Sequence, residues 1–147
     1  MPLHLRKQIR EAAAAALTGL TTSGSRVFES RVHELQDVNL PGLRIYTNNE
    51  DVRVDSIGVD RQVERGLDLV VEACSKKTTG LDDELDLMIQ EVEVVIAANQ
   101  NLGGAKRIQL TGIEIDMEGE AEKEVGIARM TFQVRYYATL SRPDVAL

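Results

Sequence analysis

The chain has no tryptophan, two phenylalanines and three tyrosines among 147 residues. Its core must therefore be aliphatic, and the scarcity argues against a nucleic-acid module that stacks bases on aromatic platforms. A single cysteine, Cys74, cannot close an intrachain disulfide, so nothing marks the chain for an oxidising compartment. One cysteine and two isolated histidines, His4 and His33, are too few soft or imidazole ligands for a zinc-type centre. Long apolar runs are also missing. The longest, Ala12 to Leu17, is far below the roughly 20 residues that span a bilayer. Arg6, Lys7, Arg10 and Glu11 occupy the place of a signal-peptide apolar core, which predicts a protein that stays where it is made.

Basic residues are outnumbered, 17 against 24 acidic, for a net charge of −7. No run exceeds two basic residues, so the field of the protein repels phosphate backbones instead of steering towards them. What is present is the composition of a globular protein, 43% hydrophobic and 28% charged. A chain of this length suits one domain, residues 1–147, with a single ordinary core.

Leu5, Ile9, Ala12, Ala13, Ala16, Leu17 and Leu20 recur at three- and four-residue spacings, which predicts a helix over 3–20 ending in Thr21-Thr22-Ser23-Gly24-Ser25. Arg26 to Val32 is short and β-prone, 35–42 is an irregular crossing through Pro41, and Leu43 to Thr47 is a strand. Polar, acidic 48–60 reads as an exposed loop or loose hairpin. Val63, Leu67, Leu69, Val71 and Ala73 alternate with polar residues, the period of a strand with one buried face. Leu81, Leu85, Met88, Ile89, Val92, Val95 and Ile96 form a helical stripe over 81–99. Asp82, Asp83, Glu84 and Asp86 open that helix, where negative charge complements its dipole.

Two strands close the chain. Ile108 and Leu110 have one parity and Ile113, Ile115 and Met117 the other, so a β-bulge at Thr111-Gly112 would restore a single buried face. Gly126, Ala128, Met130, Phe132, Val134 and Tyr136 form the apolar face of the last strand, after a charged tip at 118–124. The expected fold is α+β: a mainly antiparallel sheet with two amphipathic helices packed on one face, a two-layer sandwich.

No catalytic, cofactor or metal constellation emerges. Asn101-Leu102-Gly103-Gly104 follows a helix instead of opening one and matches no phosphate loop. Ser23 has no nucleophile-elbow context, and Cys74 lies on a strand without an adjacent histidine. The acidic clusters suit a helix start and a solvated tip better than a hard-cation site. The arginines suggest another use. Arg26 and Arg31 flank a short strand, while Arg129 and Arg135 share the less apolar face of the last one. Arginine is enriched at protein interfaces, and its planar fork matches carboxylates. Pairing within the chain is the ordinary alternative. Candidate interface residues are therefore Arg26, Arg31, Arg129 and Arg135, with Glu50, Asp51 and Arg53 in one loop and Glu118, Glu120 and Glu122 in the other.

Read in order, several segments carry a resemblance. They are Leu5-Arg6-Lys7-Gln8-Ile9-Arg10 running into the alanines, then Arg26 to Val32, then Leu40 to Thr47 with Glu50 shortly after. Arg65 to Glu72, Leu85-Asp86, Leu110 to Ile115, Glu118-Gly119-Glu120 and Phe132 to Tyr136 complete the series. In this order the chain resembles the phage tail terminator family, the lambda-type minor tail protein U and related tail completion proteins. The resemblance implies a structural protein of the virion, with no enzymatic activity and no cofactor. It would form a six-membered ring that caps the tail tube and meets the tube protein on one side and a neck or head-completion protein on the other. A neck or head–tail connector subunit is the neighbouring alternative. A small-molecule-binding or enzymatic domain, which would need an apolar pocket with convergent polar groups, is the alternative of another class.

Overall fold

The computed structural model describes residues 3–29, 39–54, 56–77, 79–118 and 124–147. Its elements are α1 (Leu5–Leu17), β1 (Val27–Phe28), β2 (Gly42–Val54), β3 (Gln62–Lys77), α2 (Leu81–Ala98), β4 (Arg107–Glu118) and β5 (Glu124–Thr139), with a short 3-10 turn at Leu102–Gly104. One five-stranded sheet has the order β1-β2-β3-β5-β4. Only the β1–β2 pair is parallel, so the sheet is mixed but mainly antiparallel, and the α+β expectation holds.

Alternation along the strands decides which face is covered. Leu43 and Ile45 of β2, Leu67, Leu69, Val71 and Ala73 of β3, and Ala128, Met130, Phe132, Val134 and Tyr136 of β5 all point to the helical side and are buried. From the other layer, Leu5, Ile9, Ala13 and Leu17 of α1 and Leu81, Leu85, Met88, Ile89, Val92 and Ile96 of α2 meet them in one cluster. Each of the larger side chains, Val, Leu, Ile, Met and Phe, contributes about 1.5–3 kcal/mol by leaving water. Both helices lie on the same face, and among the described residues no helix covers the other.

Local chemistry sets the helix positions. His4 caps α1, its Nδ1 accepting from Arg6 N at 3.0 Å. The cap of α2 is Gly80, which lacks a side chain, so the first-turn acids Asp82, Asp83 and Glu84 supply the negative charge that the helix start favours. Glu84 also anchors the helix to β3, accepting from Ser75 Oγ and lying 2.6 Å from Lys77 Nζ. Two glycines allow close approach. A Cβ on Gly126 would fall 2.6 Å from Leu85 Cδ1, and one on Gly103, at φ +59, would fall 2.6 Å from the backbone of Ile9.

The register of β4 against β5 shifts between Leu110 and Gly112, as the parity switch requires, and places Ile108, Leu110, Ile113, Ile115 and Met117 on one side. Gly112 is not among the positive-φ glycines, so the bulge does not depend on glycine's special backbone freedom. Of the two readings of 48–60, an exposed loop or a loose hairpin, the hairpin holds and the loop is corrected. β2 runs on to Val54, through a second register shift between Thr47 and Glu50, and the connection to β3 is confined to 55–61. The tip at 119–123 and the segment at 30–38, with Arg31, Glu120 and Glu122, lie outside the described residues.

Candidate functional site

The uncovered face of the sheet carries its most organised polar chemistry. Register sets Arg44 of β2 opposite Glu72 of β3, Glu72 opposite Arg129 of β5, and Arg129 opposite Glu114 of β4. Four strands thus contribute one row of alternating charge. Glu72 is its pivot, only 2% exposed. Its Oε1 lies 2.8 Å from Arg44 NH2, and its Oε2 accepts from Arg129 Nε at 2.9 Å. Arg129 NH1 then reaches Glu114 at 3.1 Å and Asp116 at 3.8 Å.

Tyr46 completes the cluster. Burial, followed by the nearby Glu72 carboxylate, holds its phenol above the ordinary tyrosine range. Its bond to Arg129, together with Glu72, holds that guanidinium above its own usual value. Around this row lies an open concavity of about 530 Å³, whose floor includes Val70 and Thr131. Its walls are ion pairs already made within the chain. A second pair, Arg135 with Glu64, extends the same pattern along β3 and β5.

A different cluster sits on the helical side, beneath the start of α1. Glu50 Oε1 accepts from Arg65 NH1 at 2.9 Å and from Tyr136 OH at 2.6 Å, while Oε2 lies 3.6 Å from Arg6 NH1. The Glu50 side chain is 5% exposed. Burial, then the Glu50 carboxylate, pushes the Tyr136 phenol well above its usual range. Such a set can fix the β2 bulge and the entry of α1, and it leaves Glu50 no open face towards solvent.

The expected interface residues therefore separate. Arg129 and Arg135 are paired within the chain. Arg26 braces the turn after α1, donating through Nε to Pro41 O at 2.7 Å and through NH2 to Thr22 O at 3.0 Å. Glu50, expected in an exposed loop or loose hairpin, is corrected to a strand residue with a buried side chain. Asp51 and Arg53 are exposed on β2, and Glu118 ends β4. Sequence reasoning missed Arg44, Glu72, Glu114 and Tyr46 as one group. Their common signal is weak, each being a polar residue on an otherwise apolar strand, and only register shows that they align.

Burial raises the Cys74 thiol to about 11, which keeps it protonated and un-nucleophilic near neutral pH. Among the described residues no group of His, Cys, Asp and Glu side chains could hold a metal ion. No described helix is long and apolar enough to cross a membrane.

The remaining polar and apolar surface is uneven. Ile57 and Val59 are fully exposed at the β2–β3 turn, Val52 and Val54 are exposed on β2, and Ile113, Ile115 and Met117 on β4. Leu87 and Val94 of α2 border a groove with Leu20.

No family model matches the chain, and no curated protein matches it in sequence. Among solved structures, one similar chain comes from the virion of a native gene transfer agent (GTA) particle. It is 14% identical, with a TM-score of 0.44, over 90% of this chain and 92% of that one.

Proposed function

We propose that the protein is a structural component of a virion, a subunit of a six-membered ring that caps a phage tail tube at its head-proximal end. The ring halts tube polymerisation and offers the surface on which a neck or head-completion protein docks. Its partners are further copies of itself, the tube protein and that neck protein, and neither a membrane nor a specific nucleic acid is among them. The role involves no catalytic step and no cofactor.

The order of sequence segments that resembles tail terminators motivates this reading, and one structural observation carries it. Exposed aliphatic side chains lie along both sheet edges and at one end of the strands, whereas the concavity of about 530 Å³ on the open face is walled by charges engaged with one another. A ligand-binding domain concentrates apolar surface in a cavity, while an assembling subunit displays it where neighbours arrive. A closed ring of identical subunits needs two different surfaces on each copy, and two dissimilar sheet edges meet that need.

Deletion of the gene tests the proposal. Tails of uncontrolled length that fail to join heads are the expected outcome, visible by electron microscopy. Tails of normal length beside unjoined heads would assign the protein to the adjacent neck ring instead.

A further inference from the structure

The two edges of the sheet match each other in hydrogen-bond orientation, in facing and in charge. On one side, Ile108, opposite Val134, turns its N–H away from β5 and donates it to Gln100 Oε1 at 3.0 Å. Alternate residues of a strand share that direction. Ile113, Ile115 and Met117 lie opposite Met130, Ala128 and Gly126, the other even positions of β5, so their backbone groups also point out of the sheet. On the far side, Leu43, opposite Ala73, sends its N–H away from β3 to Arg26 O at 2.9 Å. Val52 and Val54 lie opposite Arg65 and Val63, at the same parity of β3, and point outward too. Among the described residues β1 pairs only with Leu43 and Arg44, and none pairs with 50–54 on the side away from β3, so this stretch of β2 is an edge among them.

In both edges the residues with outward backbone groups carry their side chains on the helical face. That coincidence matters, because two strands join only if residues placed opposite each other share a face. The direction agrees as well. β2 runs antiparallel to β3, β3 to β5 and β5 to β4, so β4 of one copy set beside β2 of another makes an antiparallel pair. On the opposite face, exposed Arg53 of β2 meets the acidic side of β4, which carries Glu114 and Asp116. An exposed edge of this length with three large apolar side chains is otherwise a site for uncontrolled pairing.

We infer that β4 of one copy pairs antiparallel with residues 50–54 of β2 in a second copy, setting Ile115 against Val52, Ile113 against Val54 and Glu114 against Arg53. The contact is heterologous, since each copy offers a different edge to each neighbour, and repetition through six copies would close the sheet on itself. The inference deepens the ring reading above and rests on it for the number of copies, not for the contact.

Cysteine pairing tests it. Opposed residues of a hydrogen-bonded antiparallel pair have Cα atoms roughly 5.5 Å apart, within disulfide range. Val52→Cys and Ile115→Cys are separate variants of the full chain at exposed positions, and native Cys74 is buried. When the two are mixed and oxidised, a covalent heterodimer should form, and Val52→Cys mixed with Val94→Cys should give none. Ile115→Arg should remain folded and weaken self-association by about tenfold or more. Sedimentation that shows assembled protein without the heterodimer would overturn the edge contact and leave the ring reading standing. Monomers at every concentration, with no heterodimer, would also overturn it, and the tail-length assay would then judge the ring independently. A heterodimer together with normal tails in the deletion strain would retain the contact and reject the tail-capping role.

Discussion

Glu50 shows how much a single side chain can hold in place. An isolated buried carboxylate is expensive unless partners replace its lost water. Arg65, Tyr136 and Arg6 do so from β3, β5 and α1, which ties three elements to the β2 bulge. Removing one member of a buried pair leaves the other uncompensated. Glu50→Ala should therefore destabilise the fold by about 3–5 kcal/mol. The double variant Glu50→Leu with Arg65→Met should lose clearly less, because no buried charge is left alone. Urea unfolding of Glu50→Leu, Arg65→Met and the double variant measures this, and a double variant as unstable as the sum of its parts would show that the charges are not coupled. Tyr136→Phe, which takes away one donor, should cost about 1–3 kcal/mol.

Elements pack here through glycines whose surroundings differ, and the difference predicts an order. At Gly126 an added methyl would press on Leu85 Cδ1, the far end of a side chain that can move, so Gly126→Ala should cost about 1–3 kcal/mol. At Gly103 the obstacle is the backbone of Ile9, and φ is +59 as well, so Gly103→Ala should be the worse substitution by urea midpoint. Equal midpoints would mean that the turn at 102–104 yields more easily than the helix contact. Much of this layer was legible in the sequence. The stripes of α1 and α2, the alternation of β3 and β5 and the parity switch at Thr111 each follow from burial on one face. The distal half of β2 was not legible, because it lies at an edge and its bulge interrupts the period. Asn48-Asn49-Glu50-Asp51 consequently reads as loop, although Glu50 faces inward. The charge row on the open face was hidden for another reason. Arg44, Glu72, Glu114 and Arg129 are far apart in sequence, and alignment across four strands is a property of register that no local pattern encodes.

At the scale of the whole molecule, one end of the sheet presents apolar side chains to solvent. There the β2–β3 turn lifts Ile57 and Val59 fully into solvent, at 101% and 104% exposure. The turn is nonetheless braced: Ser56 Oγ accepts from Gln62 N at 2.8 Å, Arg61 Nε donates to Gly58 O at 3.2 Å, and Asp60 accepts from Ser141 N and Oγ at 3.0 and 2.6 Å. Leu140 joins it through its N–H to Arg61 O, so a further exposed leucine stands beside the tip. A held turn that presents aliphatic side chains loses little entropy when a partner covers it. In a ring closed edge to edge the strand ends face along the axis, so this tip would repeat around one rim and meet the neighbouring ring of another protein. Ile57→Asp together with Val59→Asp should leave thermal stability nearly unchanged, within about 0.5 kcal/mol, because neither side chain touches the core. Self-association should also persist, since the tip lies outside the paired stretch 50–54. Complementation of the deletion strain should fail, however, because a rim of aspartates cannot enter an apolar contact. Normal tails joined to heads would show that the axial partner docks elsewhere, and loss of self-association would move the tip into the contact between copies.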